Sequence, residues 1–128
     1  MLAFGTVKLK GMDEKFDQNT GLTRSLVNHR YNGDIDAEAR FECLTYAPCA
    51  NTASFVGLEY LSGRIGGRTG GFILQHVGSI KAGRYESTLN VLSGSGTGDL
   101  AGIRGHGCTT WDGGAEQSSQ VLLEYTFE

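Results

Sequence analysis

Proline occurs once in 128 residues, and no window of about a dozen places apolar side chains at i, i+3, i+4 and i+7, so no amphipathic helix is predicted. No run of 18 apolar residues exists, and the N-terminus MLAFGTVKLKGM lacks a basic stretch followed by an apolar run of about seven residues. Neither a membrane span nor a secretory signal is expected, and the cytoplasm is the expected compartment. The 11 basic residues, against 14 acidic ones and a net charge of −3, scatter from Lys8 to Arg104 without forming a stripe. A nucleic-acid partner would need that stripe. The three cysteines, Cys43, Cys49 and Cys108, show no C-x-x-C spacing, and only His106 lies near one of them (Cys108), so no metal is expected. Gly94-Ser95-Gly96-Thr97-Gly98 is followed by neither Gly-Lys-Ser/Thr nor a helix over Asp99–Gly105. It reads as a tight corner rather than a phosphate cradle, and no cofactor is implied.

What the chain has in quantity is glycine, 20 residues, spaced as turns between short alternating segments. Asn32-Gly33 is a two-residue hairpin signal, because a type I′ turn needs positive φ at both central residues. Gly66-Gly67 and Ala82-Gly83 are two more. Strands are predicted over Leu2–Lys10, Leu22–Tyr31, Asp34–Tyr46, Ala53–Ser62, Gly71–Lys81, Arg84–Leu92, a short segment after Ile103, and Gln120–Glu128. About eight antiparallel strands in meander order curl and close, which removes exposed edges, so the fold class is all-β, one closed barrel domain over residues 1–128.

Turn positions fix the predicted register. Counting outward from Gly66-Gly67 pairs Leu61 with Phe72, Glu59 with Leu74 and Gly57 with His76. Glu59 and His76 then face inward as diagonal neighbours among Phe55, Leu61, Phe72, Leu74 and Ile80, and Gly57 leaves room beside the imidazole. The same count from Asn32-Gly33 pairs Asn28 with Ala37 and Arg24 with Phe41. Arg24 and Asn28 become inward polar groups, and His29 faces solvent opposite Asp36. Tyr125 points inward from the last strand. Glu59 and His76 are the candidate acid–base pair, with Arg24, Asn28, Phe41, Phe55, Gly57, Phe72, Leu74 and Tyr125 as candidate ligand contacts. The bland alternative is that His76 and Glu59 are hydrogen-bonded core residues, Glu59 pairing with an arginine such as Arg24.

Ser54–Glu59, Gly66–His76 and Gly94–Gly105, together with Asp13-Glu14, Leu22–Arg24, Gly33–Ile35 and Leu123–Phe127, resemble a small bacterial family of unknown function in the allene-oxide-cyclase-like barrel superfamily. The Gly-Thr-Gly-x-Leu-x-Gly-x-x-Gly element is similar to the corresponding turn of plant allene oxide cyclases and dirigent proteins. The resemblance implies an eight-stranded, often oligomeric barrel, here a homo-oligomer, with a cavity for a hydrophobic small molecule and no cofactor. The chain departs from the pattern at Met12, where a Trp is common, at Ser93, where a Pro usually stands, and in having Cys43 and Cys49. The Met12 change would reshape one barrel mouth.

Two functions follow as expectations. One is a cofactor-independent cyclase or isomerase that folds a polyene, polyketide or epoxide-like substrate, with Glu59 or His76 moving a proton while Arg24, Asn28 or Tyr125 stabilises charge. The other is a barrel that binds the same kind of ligand without changing it.

Overall fold

The chain's structure, a computed structural model, describes residues 1–111 and 118–128. Eight strands form one closed antiparallel barrel in sequence order: β1 (Leu2–Asp17), β2 (Leu22–Gly33), β3 (Ile35–Cys49), β4 (Thr52–Ile65), β5 (Arg68–Lys81), β6 (Arg84–Val91), β7 (Ile103–Trp111) and β8 (Ser118–Phe127). β8 returns to pair with β1, Leu2 standing opposite Glu124 and Val7 opposite Ser119. The only helical element among the described residues is a 3-10 turn at Gly98–Leu100. β1 runs seven residues beyond its predicted end at Lys10, with a register irregularity between Leu9 and Gly11.

The β4–β5 hairpin has the predicted register, with Ile65 opposite Arg68, Glu59 opposite Leu74 and Gly57 opposite His76. Gly66 and Gly67 take φ values of 57° and 82°, the left-handed conformation that a two-residue hairpin turn requires. The β2–β3 connection differs from its prediction. Asn32 and Gly33 continue β2 as partners of Thr6 and Gly5 on β1, so they do not form the turn. Asp34 instead bends the chain, its N–H donating to the Phe4 carbonyl at 2.9 Å and its carboxylate accepting from the Phe4 N–H at 2.9 Å. Asn28 therefore faces Arg40 rather than Ala37, a slip of three residues. An odd slip moves every side chain of β2 to the other face.

The consequence is that Arg24 and Asn28 are exposed on the outside of the barrel, which corrects both as ligand contacts. Ser25, Val27 and Tyr31 are buried, and His29 turns inward with them instead of toward solvent.

The interior has two unequal halves. At the end carrying the β2–β3 and β4–β5 turns, Tyr31, Ile35, Leu61, Ile65, Phe72, Leu74, Leu89, Ile103, Leu123 and Tyr125 form the main core. The segment between β6 and β7 folds over this end and inserts fully buried Leu100. It is held because β6 ends at Val91, beyond which Gly71 and Ile73 of β5, paired with β4 on one side, have no β6 partner on the other. Their N–H groups donate to Thr97 Oγ1 and Ser95 Oγ, each at 3.0 Å. The Gly94–Gly98 stretch is thus a plug. Toward the other end a smaller cluster of Val27, Phe41 and Phe55 packs with Cys43 and Tyr85, and this half stays partly open.

Candidate functional site

Glu59 stands at the junction of the two halves and is 0% exposed. β3 separates it from β2, with Phe41 directly opposite Glu59, but opposite Tyr31 and His29 β3 carries only the small side chains of Ala37 and Ala39. These small side chains let both β2 residues reach across to β4. His29 Nδ1 lies 2.7 Å from Glu59 Oε2, His76 Nε2 lies 2.7 Å from Oε1, and the Tyr31 hydroxyl donates to Oε1 at 2.5 Å. Burial alone would raise the carboxyl's pKa, but the hydrogen bonds and charges of His29 and His76 outweigh it and lower it from 4.5 to about 2. An ionised carboxylate only accepts, so both imidazoles turn an N–H toward it.

The two histidines differ in what remains to them. His76 is 2% exposed, and its second nitrogen, Nδ1, lies 3.3 Å from the Ser87 hydroxyl. Both of its ring nitrogens are occupied by protein. The His29 side chain is 17% exposed, and no described residue hydrogen-bonds its Nε2. With Nδ1 holding the proton for Glu59, Nε2 of the neutral ring carries a lone pair. Phe41 packs between the two rings, 4.4 Å from His76 and 6.0 Å from His29 between centroids.

A cavity of about 210 Å³ opens over this floor. His29, Tyr31, His76 and Phe41 form its base, Val7, Leu9, Met12 and Val27 one side, and Tyr85, Thr109 and Ser119 the other. Met12 therefore lies at the mouth that its substitution was expected to reshape. Burial raises the Tyr31 phenol well above its ordinary range, with Glu59 adding to the effect, and burial also raises that of Tyr85. Both hydroxyls stay protonated.

The predicted site residues separate on this geometry. Glu59, His76 and Phe41 come together at the cavity floor. Phe55 lies behind it, stacked on Tyr85 at 5.1 Å. Phe72, Leu74 and Tyr125 face inward but belong to the plugged half and do not line the cavity, which corrects their assignment as ligand contacts. The room at Gly57 is already taken, since a Cβ there would sit 2.7 Å from Phe41 Cε1 and 2.7 Å from Cys43 Cβ and collide with the Glu42 carbonyl oxygen. Gly57 makes space for Phe41, not for a ligand. Sequence reasoning missed His29, Tyr31, Tyr85 and Thr109. The alternation of Ser25, Val27, His29 and Tyr31 was the available signal for the β2 pair.

Glu59 spends its lone pairs on N–H and O–H donors, and among the described residues no three His, Cys, Asp or Glu side chains are placed to hold a metal ion. Cys43, Cys49 and Cys108 are free thiols. Among the described residues no helix is long and apolar enough to cross a membrane.

A family model described as a protein of unknown function (DUF3224) matches residues 3–125, and the chain belongs to that family. It is similar to the crystal structure of a protein of unknown function from the DUF3224 family of Shewanella oneidensis MR-1. That similarity has a TM-score of 0.84 at 25% identity, and it covers 100% of this chain and 97% of the other. No curated protein matches the chain.

Proposed function

We propose that this DUF3224 protein is a cofactor-independent proton-transfer enzyme of the isomerase or cyclase class, acting on a small hydrophobic molecule in the mouth cavity. The observation that carries the reading is the Glu59–His29 pair, in which the carboxylate holds Nδ1–H and leaves Nε2 toward the cavity. His29 is then the base. It accepts a proton from an acidic C–H or O–H of the ligand, Glu59 stabilises the imidazolium without taking the proton, and the proton returns at a second atom. His76 and Tyr31 act as positioning residues, because they fix the carboxylate and touch its other oxygen. The acid–base pair expected at Glu59 and His76 becomes, in this reading, a chain from His76 through Glu59 to His29.

Cavity size limits the substrate. A dry protein cavity of about 150 Å³ holds benzene, so about 210 Å³ suits a substituted ring or the reacting end of a longer molecule. A polyene or polyketide would enter by one end only. The eight-stranded meander supports kinship with allene-oxide-cyclase-like barrels, whose members of known activity steer reactive intermediates without a cofactor. The outer faces of β3 to β5 expose Leu44, Val56, Leu58, Tyr60 and Val77, which supports a homo-oligomer.

The test is deuterium incorporation from D₂O into a panel of small alicyclic and aromatic ketones and aldehydes, followed by mass spectrometry. Exchange above the buffer rate that His29→Gln reduces by roughly 10²-fold supports the enzyme. Compounds that bind without exchanging would assign the chain to the alternative, a barrel that only holds its ligand.

A further inference from the structure

Opposite His29 the cavity has a second polar wall, formed by Tyr85 on β6, Thr109 on β7 and Ser119 on β8. Thr109 is 3% exposed, and its Oγ1 is the single buried side-chain polar atom among the described residues with no hydrogen-bond partner. A buried unsatisfied hydroxyl is destabilising, and valine would fill the same volume without that penalty. Apart from a weak contact with the Tyr85 phenol, the hydroxyl therefore contributes little to the empty fold and keeps its bonding capacity for something that enters the cavity.

The Tyr85 phenol lies in weak hydrogen-bonding contact with the hydroxyls of Thr109 and Ser87. Ser87 sits directly across the β6–β7 ladder from Thr109, but its hydroxyl lies against His76 Nδ1. The Tyr85 ring is held in place by stacking on Phe55 with 14° between planes, and burial keeps its phenol protonated. Thr109 and Tyr85 thus offer two O–H groups at one wall. β1 and β8 separate β7 from β2, so His29 stands across the lumen, with Val7, Leu9, Met12 and Phe41 in between.

We propose that Thr109, assisted by Tyr85, is the oxygen-recognition point of this cavity and that the ligand is a small carbonyl compound. Its apolar body lies along the aliphatic wall, its oxygen on the hydroxyl pair and its α-carbon toward His29. The inference rests on the cavity being a small-molecule site, and it names the substrate class. His29 Nε2 removes the α proton, the C–H electron pair forms the new C–C double bond, and the carbonyl π pair moves onto oxygen. The two O–H donors hold the resulting enolate charge. Return of the proton to the same carbon gives exchange, and return to the γ carbon of a β,γ-unsaturated ketone gives the conjugated enone. No oxidant, reductant or co-reactant is consumed.

The experiment compares acetophenone with ethylbenzene, a near-isostere lacking the oxygen, by ligand-observed NMR titration of the intact protein. Acetophenone is expected to bind roughly tenfold more tightly, the value of one neutral hydrogen bond. Thr109→Val should bring the ratio toward one, leave ethylbenzene binding unchanged and raise the melting temperature, and Thr109→Ser should restore the preference. Equal binding of the two compounds by the wild type, or a preference that survives Thr109→Val, overturns the proposal while leaving the cavity a ligand site. Failure of both compounds to bind overturns the small-molecule reading and the proposal together.

Discussion

His29 Nδ1 lies 2.7 Å from Glu59 Oε2, joining a half-open cavity to a carboxylate with no solvent exposure. The contact has two effects. It helps keep a buried acid ionised, and it fixes which nitrogen of His29 the cavity meets.

Stability should fall in acid through Glu59. Its folded pKa, about 2, is below the ordinary 4.5, so its contribution is complete above about pH 5 and is lost as the pH drops toward 2. That contribution is about 3 kcal/mol on the linkage relation. Urea melts of the wild type should therefore weaken between pH 5 and 2, and Glu59→Gln should show a flatter profile there. Parallel profiles would mean that the carboxylate is not held as described.

The two histidines should respond differently to replacement. His76→Gln disturbs a buried hydrogen-bonded group and should cost about 3 kcal/mol in stability. His29→Gln, at a partly exposed position where the amide can still donate to Glu59, should cost less, about 1–2 kcal/mol, while reducing proton exchange roughly 10²-fold. Thermal melts and exchange assays on both variants decide this, and similar stability losses for the two would argue against separate roles.

Gly57→Ala should act on the site through Phe41. The new methyl meets the Phe41 ring and the β3 backbone, so overpacking should cost about 1–3 kcal/mol. Ring-current shifts of the His29 and His76 protons should move with it. Unchanged shifts would show that the ring is not wedged between the histidines by this glycine.

Leu44 pairs with Val56, and Val56 with Val77, on the exposed outer surface, beside Leu58 and Tyr60. Arg40 and Glu42, opposite in charge, continue the same outer face of β3 and stand opposite Tyr60 and Leu58. Sedimentation should detect a concentration-dependent oligomer that Leu58→Glu converts to monomer without lowering the melting temperature. A wild type that is monomeric at every concentration would contradict this.

The sequence revealed inward and outward faces wherever a turn was truly two residues long. Gly66-Gly67 is such a turn, so Glu59 and His76 were legible. Asn32-Gly33 was not, because pairing with β1 and the Asp34–Phe4 hydrogen bonds widen the connection, and this hid His29 while promoting Arg24 and Asn28. Depth along the barrel axis was not legible either. Alternation places Phe72, Leu74 and Tyr125 inside, but only the folded Leu100 plug shows that their half is closed.

The most direct measurement is the tautomer of His29, read from long-range ¹H–¹⁵N correlations at a pH where the ring is neutral. The Nδ1–H form is expected, with an unprotonated Nε2 whose resonance shifts when acetophenone is added. A proton on Nε2 and a bare Nδ1 would make His29 a donor to the cavity and contradict its assignment as a base oriented by Glu59.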